Sequence, residues 1–294
     1  MNRLKLQEQL KVFLLEDLGE RDVTSTALFH EDDRSAARLV AKEKGIISGM
    51  AIIKEAFTLL DARCRVSCFV KDGEEVMKGQ ALAEVEGPAA AIYSGERVVL
   101  NLLQRMSGIA TLTHQAVAAL NSKHTRICDT RKTTPGLRMF EKYAVTCGGG
   151  YNHRFGLYDA VMIKDNHIAQ AGSITEAVAK VKKATGHMVK VEVEVETLEQ
   201  VKEAVAAQAD VIMFDNASPE VITEWRTYVS PSIVTEASGG ISLETLHLFQ
   251  DTGVDYISLG MLTHSAKSLD ISLNYLGGVK DEHFRSIQTT ITSS

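Results

Sequence analysis

The stretch MVKVEVEVETLEQVKEAVAAQADVIMFDN, residues 188–216, decides the fold. It opens with strict alternation: Val189, Val191, Val193 and Val195 share one face of an extended segment, and Lys190, Glu192, Glu194 and Glu196 share the other. TLEQVKEAVAAQ then reads as a helix, and DVIMFD as a second strand. Strand, helix, strand is one βα unit. Working outward, the pattern repeats. RICDT and AVMIKD lie upstream, SIVTEASGG and DYISLG downstream, with GLRMFEKYAV, SITEAVAKVKKA, SPEVITEWRTYV and SLETLHLFQDT as helices between strands. Six strands recurring about every 20 to 35 residues, each gap holding a helix, predict a parallel sheet with right-handed crossovers.

Nearly every strand runs out in polar residues. The tips carry Asp129, Thr130, Arg131 and Lys132; Lys164 and Asp165; Glu194 and Glu196; Asp215 and Asn216; Glu236 and Ser238; and Ser258 and Gly260. Carboxyl-terminal strand ends are where βα folds bind ligands. A doubly wound sheet would concentrate such groups at its switch point, whereas here all six strands contribute, which favours a barrel. The valine face of the third strand must pack under helices, so its charged face points into the barrel. Interior carboxylates cost several kcal/mol unless they meet cations or metal. Arg131, Lys132 and Lys164 are the cations expected to meet them, either as a purely structural salt-bridge network or as part of a ligand site.

The segment Arg131–Arg154, RKTTPGLRMFEKYAVTCGGGYNHR, holds five basic residues (131, 132, 138, 142 and 154) and one acid, Glu141. On a chain of net charge −6 this reads as a concentrated anion site, with arginine forks suited to carboxylate or phosphate. Gly148, Gly149 and Gly150 let the backbone before His153 and Arg154 approach a ligand. ASGGIS (237–242) and SLGMLTHS (258–265) follow the last two strands. Glycine turns ahead of helices present N–H groups to a phosphate, though plain βα turns would look the same.

The first hundred residues differ. Leu6, Leu10, Phe13, Leu14 and Leu18 mark one face of an amphipathic helix. ARLVAK and CRVSCFV alternate like strands between glycine turns, which predicts a small sheet domain. VKDGEEVMKGQALAEVEG has the look of a biotinyl or lipoyl carrier hairpin, but Lys71 and Lys78 lack the flanking residues such a carrier needs. SGERVVLNLLQRMSGIATLTHQAVAAL reads as a bridging helix with Val98, Leu102, Met106 and Ile109 apolar; Glu96 and Arg97 read as a solvated pair at its opening. Composition excludes much else. Hydrophobic residues at 45%, charged residues at 24% and only 4 prolines describe a globular chain with a core. No apolar run reaches membrane-spanning length, and the charged MNRLKLQEQLKVFLLEDLGE does not read as a signal peptide. Four scattered cysteines fit ordinary thiols in a reducing cytoplasm, and net negative charge gives no reason to expect nucleic acid or membrane as a partner.

EDLGERDVTS, GERVVLNLLQRMSG, DTRKTTPGLRMFEKYAV, CGGGYNHRFGLYDAVMIKDNH, VEVEVETLEQ, FDN, EASGGI and SLGMLTHS, in this order over about residues 10–275, resemble the quinolinate phosphoribosyltransferases. The resemblance implies an α/β fold: an incomplete six-stranded parallel βα barrel over 111–275 and an N-terminal α/β sandwich over 1–110, which the tail 276–294 could join. It implies transfer of phosphoribose from phosphoribosyl pyrophosphate to quinolinate with decarboxylation, with Mg²⁺ as cofactor, in a homodimer or higher homo-oligomer. It places the dicarboxylate on Arg131, His153 and Arg154, with Arg97 reaching across from a neighbouring subunit, and counts Thr130 among the substrate-binding residues. It puts Lys132 and Lys164 at the phosphates and the reacting ring, and Glu194 and Asp215 at the ribose and metal. Ser238, Gly239, Gly240, Gly260 and Met261 would form the 5′-phosphate loops, with His264 nearby and Leu259 also counted as substrate-binding. Rival readings are a paralogous phosphoribosyltransferase acting on nicotinate or another acid, a carrier-like module fused to a non-catalytic phosphate-binding barrel, and a barrel lyase using Lys164 as a Schiff base.

Overall fold

The computed structural model describes residues 1–278. It divides into two compact units: Met1–Thr111 together with residues 267–278, and Leu112–Ala266. The barrel was expected to reach residue 275. Residues 267–278 instead join the first unit, because the strand Ile271–Gly278 pairs antiparallel with β1 (Arg34–Ala41), from Ala41↔Ile271 to Ser35↔Gly278. Of the tail considered above, residues 279–294 lie outside the described residues.

In the first unit, Asn2 caps α1 (Arg3–Leu18) by accepting the Lys5 N–H, and Leu6, Leu10 and Leu14 are its buried face. Asp22 caps α2 (Val23–Leu28) in the same way. The sheet runs Ile271–Gly278, β1, β3 (Ala81–Pro88), β2 (Arg65–Cys68), all antiparallel. The carrier-like hairpin feeds β3, and its Glu75–Val76 pairs with Gly45–Ile46, so it is stitched into this unit. Behind come α3 (Met50–Leu60) and the long α4 (Ala89–Leu120), whose Val98, Leu102, Met106 and Ile109 are buried as their spacing predicts. Gly108 is required by packing: a Cβ there would stand 2.0 Å from the Lys267 carbonyl oxygen. Glu96 and Arg97 lie within α4 rather than at its opening. Glu96 accepts the Tyr275 hydroxyl at 2.6 Å, while the Arg97 side chain is 72% exposed.

The second unit holds six parallel strands: β4 (Arg126–Cys128), β5 (Val161–Ile163), β6 (Val191–Val195), β7 (Val211–Asp215), β8 (Val234–Ser238) and β9 (Tyr256–Ser258). Their order is β4-β9-β8-β7-β6-β5. Each strand from β5 to β9 lies beside its successor and the last pairs with the first, so the order is cyclic with one seam, between β4 and β5. That is a barrel left open at one joint. Tyr151 makes an isolated parallel bridge to Cys128 at the seam.

Helices follow the strands: α5 (Arg138–Cys147), α6 (Asp165–Ala171), α7 (Ile174–Ala184), α8 (Leu198–Ala206), α9 (Pro219–Arg226), a 3₁₀ turn over Leu246–Phe249, and α10 (Met261–His264). Ser173, Thr197 and Ser218 cap α7, α8 and α9, each accepting the N–H three residues on. Val191, Val193 and Val195 are at most 1% exposed, on the side that Ala177, Val178, Val201 and Ala204 of α7 and α8 cover. The valine face therefore packs outward under helices, and Glu192 and Glu194 turn inward. Val189, Lys190 and Glu196 fall outside β6, and the latter two are exposed, so the charged face is two residues long.

Candidate active site

A cavity of about 520 Å³ opens at the carboxyl ends of the barrel strands. Its wall is supplied by Thr130, Arg131 and Lys132 after β4, His153 and Arg154 before β5, Lys164 after β5, Glu194 of β6, Asp215 and Asn216 at the end of β7, and Ser238, Gly239 and Gly240 after β8. Eleven of the residues that the family resemblance assigned to the site, all of these but Asn216, thus share one cavity. Met162, Met213 and Ser258 complete the lining. The two methionines are inward positions of β5 and β7, in register with Glu192 and Glu194.

The charges alternate around this mouth. Lys164 Nζ donates to Glu194 at 2.5 Å, across neighbouring strands. Asn216 donates its amide to Asp215 at 2.6 Å. Burial, and then the adjacent charge of Glu194, hold the Asp215 carboxyl above the usual carboxylate range. Asn216 takes a left-handed backbone, φ 53°. Gly239 presses against it: a Cβ on Gly239 would come within 2.2 Å of Asn216 Oδ1 and 2.9 Å of its backbone nitrogen. That loop admits only glycine, which is why the GG pair stands there.

Arg131 and Lys132 are exposed at the rim. Arg154 is half-buried, its guanidinium bonded to the Ala160 carbonyl at 2.9 Å; burial and the nearby Arg131 depress its pKa. Three cations facing one opening suit an anion with more than one carboxylate or phosphate.

The rest of the basic segment does something else. Lys142 has no exposed surface and is paired with fully buried Asp129, while also donating to the His153 carbonyl at 3.0 Å. Arg138 donates to Thr133 Oγ1 and to the Phe155 carbonyl. Two of the five cations are therefore scaffold, and the anion site is narrower than the sequence density implied. Asp129, read as a strand-tip ligand, is the anchor of this scaffold: it accepts from Lys142, Asn152 and the His153 N–H. Burial raises its pKa although Lys142 and the other donors pull it down.

Glu236 also departs from its expected place. It is not at a tip but one layer down inside the barrel, 3% exposed, facing Glu192 at 5%. Both flank His153, whose Nε2 lies 3.0 Å from Glu192 and 3.7 Å from Glu236. Alternation explains the miss: Ser238 faces the mouth, so the residue two before it faces the interior. No sequence signal marked Lys142, because its burial depends on Asp129, thirteen residues earlier and on another element. Asp165 and Glu196 point to solvent.

The loop after β9 lies beside Lys132. Thr263 Oγ1 donates to the Lys132 carbonyl at 2.8 Å, and a Cβ on Gly260 would stand 2.8 Å from Lys132 Cδ. Gly260 and Met261 flank that contact at the start of α10; His264, at its end, is exposed and bonded to Ser265 Oγ at 2.6 Å. Leu259 is buried, and its N–H donates to the Cys128 carbonyl at 3.0 Å. Arg97 belongs to the first unit.

Comparison with known proteins gives a consistent result. Residues 22–107 match the N-terminal and residues 109–274 the C-terminal domain model of quinolinate phosphoribosyl transferase. The chain is 59% identical over 274 residues to a probable nicotinate-nucleotide pyrophosphorylase [carboxylating] of Bacillus subtilis, covering 93% of this chain and 94% of that one. It is 43% identical to the chloroplastic nicotinate-nucleotide pyrophosphorylase [carboxylating] of Arabidopsis thaliana, covering 91% and 82%. In three dimensions it is similar to NadC from Streptococcus pyogenes, with a TM-score of 0.90 at 42% identity over 94% of this chain and 99% of that one.

Proposed function

The chain belongs to the quinolinate phosphoribosyltransferase family, and we propose from that premise how its barrel mouth performs the family reaction. The enzyme joins the ring nitrogen of quinolinate to the ribose of phosphoribosyl pyrophosphate and releases pyrophosphate and CO₂, leaving nicotinate mononucleotide for NAD biosynthesis. The observation that carries the assignment of residues is the meeting of Arg131, Lys132, Arg154, Lys164, Glu194 and Asp215 at one cavity.

Arg131, Arg154 and His153 take the two carboxylates of quinolinate, each charge-assisted bond being worth roughly 1.5–3 kcal/mol. A site built for two carboxylates rejects an analogue lacking one, because a cation that the bound ligand shields from water then goes unpaired. This favours quinolinate over nicotinate. The Ser238–Gly240 turn, with Gly260 and Met261, receives the 5′-phosphate through backbone N–H groups.

As the bond from C1′ to pyrophosphate breaks, positive charge grows on the ribose, and Glu194 and Asp215 stabilise it. The ring nitrogen closes onto C1′ and becomes cationic. It then accepts the electron pair left when the adjacent carboxylate departs as CO₂. A proton must fill the vacated carbon. Lys132 or Lys164 supplies it; Lys132 Nζ has no hydrogen bond to the protein among the described residues, whereas Lys164 is held by Glu194.

Glu194 and Asp215 also fit a magnesium ion: two carboxylates crowd one edge of the mouth, and hard oxygen donors beside a diphosphate are the set Mg²⁺ prefers. When bound, the ion offsets the charge of the leaving pyrophosphate. The 72% exposed Arg97 side chain supports a role for it at the partner's mouth in a homodimer. A cytoplasmic setting is supported by the four free thiols, Cys64, Cys68, Cys128 and Cys147.

The test is incubation of the protein with Mg²⁺, phosphoribosyl pyrophosphate and quinolinate, following CO₂ and the mononucleotide. No CO₂, or equal turnover of nicotinate, refutes the reading.

A further inference from the structure

We infer that binding of the diacid draws one proton onto His153, and that Glu192 and Glu236 are positioning residues that hold the ring ready to accept it. This rests on the reading above, in which His153 meets a substrate carboxylate. As it stands, the ring has no donor to spare. Its Nε2–H is directed at Glu192 Oε2, 3.0 Å away, with Glu236 Oε2 at 3.7 Å. Its Nδ1 accepts the backbone N–H of Arg154 at 2.8 Å. A nitrogen that accepts carries no proton, so this geometry is the neutral Nε2–H tautomer. Such a ring offers an incoming carboxylate only a lone pair.

Two routes give it a donor. The ring could turn and lend Nε2–H to the substrate, or it could take a proton on Nδ1, releasing Arg154 N–H and keeping Nε2–H in place. The surroundings favour the second. The main chain of His153 is fixed on both sides, its N–H to Asp129 Oδ1 at 2.9 Å and its carbonyl to Lys142 Nζ at 3.0 Å. Glu192 and Glu236 are both more than nine-tenths buried, and the Oε1 atom of each has no hydrogen-bond partner; neither has Ser258 Oγ. Turning the ring would strip these two carboxylates of the imidazole N–H they share, which buried charge does not tolerate. Keeping it there and adding a proton reduces the net negative charge of the cluster.

The charges that face the ring are Glu192 on β6, Glu236 on β8 and Asp129 after β4, opposed by Lys142 on α5 and by Arg154 with Arg131 beside it. Burial pulls the imidazole pKa down; the bond to Glu192 and the charges of Glu236 and Glu192 more than offset this, and the net direction is up. Glu236 itself is pushed by burial and by Glu192 up to about 8. The two charges of the arriving diacid supply the remaining pull on the proton.

The experiment is calorimetric titration of the full chain with quinolinate at about pH 8, in buffers of low and high ionisation enthalpy. Uptake approaching one proton per site is expected, with the dissociation constant rising toward tenfold per pH unit, the slope of a single coupled proton. His153→Asn should bind quinolinate more weakly and take up none. Glu192→Gln, which keeps an acceptor but removes the charge, should weaken quinolinate about tenfold at pH 8 and less at pH 6, leaving the KM for phosphoribosyl pyrophosphate unchanged. If the native enzyme takes up no proton, or His153→Asn retains the uptake, the inference is overturned while the site reading stands. If His153→Asn binds quinolinate as tightly as the native enzyme, the place of His153 in the site is what fails.

Discussion

Replacing Lys142 by methionine separates scaffold from chemistry in the basic segment. Methionine keeps the length of the chain and removes the charge. Asp129 is then left buried, with Asn152 Nδ2 at 2.6 Å and the His153 N–H at 2.9 Å as remaining donors. Breaking one side of a buried pair costs about 3–5 kcal/mol. For a unit of roughly 150 residues, each kcal/mol moves the midpoint by about 2–4 °C. The barrel transition of Lys142→Met should therefore fall by about 6–20 °C in scanning calorimetry.

The loss should also depend on pH. Burial already raises the Asp129 carboxyl, and Lys142 is the strongest influence opposing it. Without Lys142 the carboxyl rises further above its unfolded value. The folded state then binds more protons than the unfolded one in that window, so stability falls as pH rises through it. The deficit of Lys142→Met should thus shrink on acidification from about pH 8 to pH 5. Adding Asp129→Asn removes the orphaned charge and should return half of the loss or more. An equal deficit at both pH values, or a double variant no more stable than the single, refutes the buried-pair account.

Three further outcomes follow from the site. Arg154→Ala should raise the quinolinate KM by about 10- to 150-fold, the loss of one charge-assisted bond, while changing the phosphoribosyl pyrophosphate KM little; equal effects on both in steady-state kinetics would move Arg154 out of the diacid subsite. Gly239→Ala forces a Cβ to within 2.2 Å of Asn216 Oδ1 at φ 88°, so it should cost at least 1 kcal/mol in thermal stability and lower kcat by displacing Asp215. Mixing Arg97→Ala with Lys132→Ala subunits should restore about a quarter of the native sites, since random pairing makes half of the dimers mixed and each mixed dimer holds one intact mouth; no recovery rejects the shared site.

What the sequence made legible follows from period. The two-residue alternation of Val191 to Val195 and the helices between strands place the barrel, because side-chain direction is set locally. The tips Arg131, Lys164, Glu194, Asp215 and Ser238 were legible for the same reason: they are polar residues where apolar strands end, at the mouth. Interior depth was not. Glu236 and Glu194 look alike in one dimension, and only the register Glu194↔Met213↔Glu236 sets one glutamate against Lys164 and the other against Glu192. Lys142 could not be told from Arg131, since both are basic residues in one basic run. The end of the barrel was misjudged because Ile271–Gly278 is claimed by β1, a partner more than two hundred residues away.

The inward carboxylates also have an energetic logic that favours this register over any other. A slip of one residue in β6 would send Val191, Val193 and Val195 inward and Glu192 and Glu194 under the helices. Burying three valines contributes roughly 1.5–3 kcal/mol each. Placing two carboxylates against the buried apolar faces of α7 and α8, Ala177, Val178, Val201 and Ala204, would cost several kcal/mol apiece. Both terms oppose the slip, so the apolar packing outside the barrel is what drives the acids into it. Once inside, Glu194 finds Lys164 and Glu192 finds His153. The charge arrangement at the mouth is thus set by the valine face, and a Val193→Thr change, remote from any ligand, should loosen the Glu192 and Glu194 contacts together and raise KM for both substrates in the same assay.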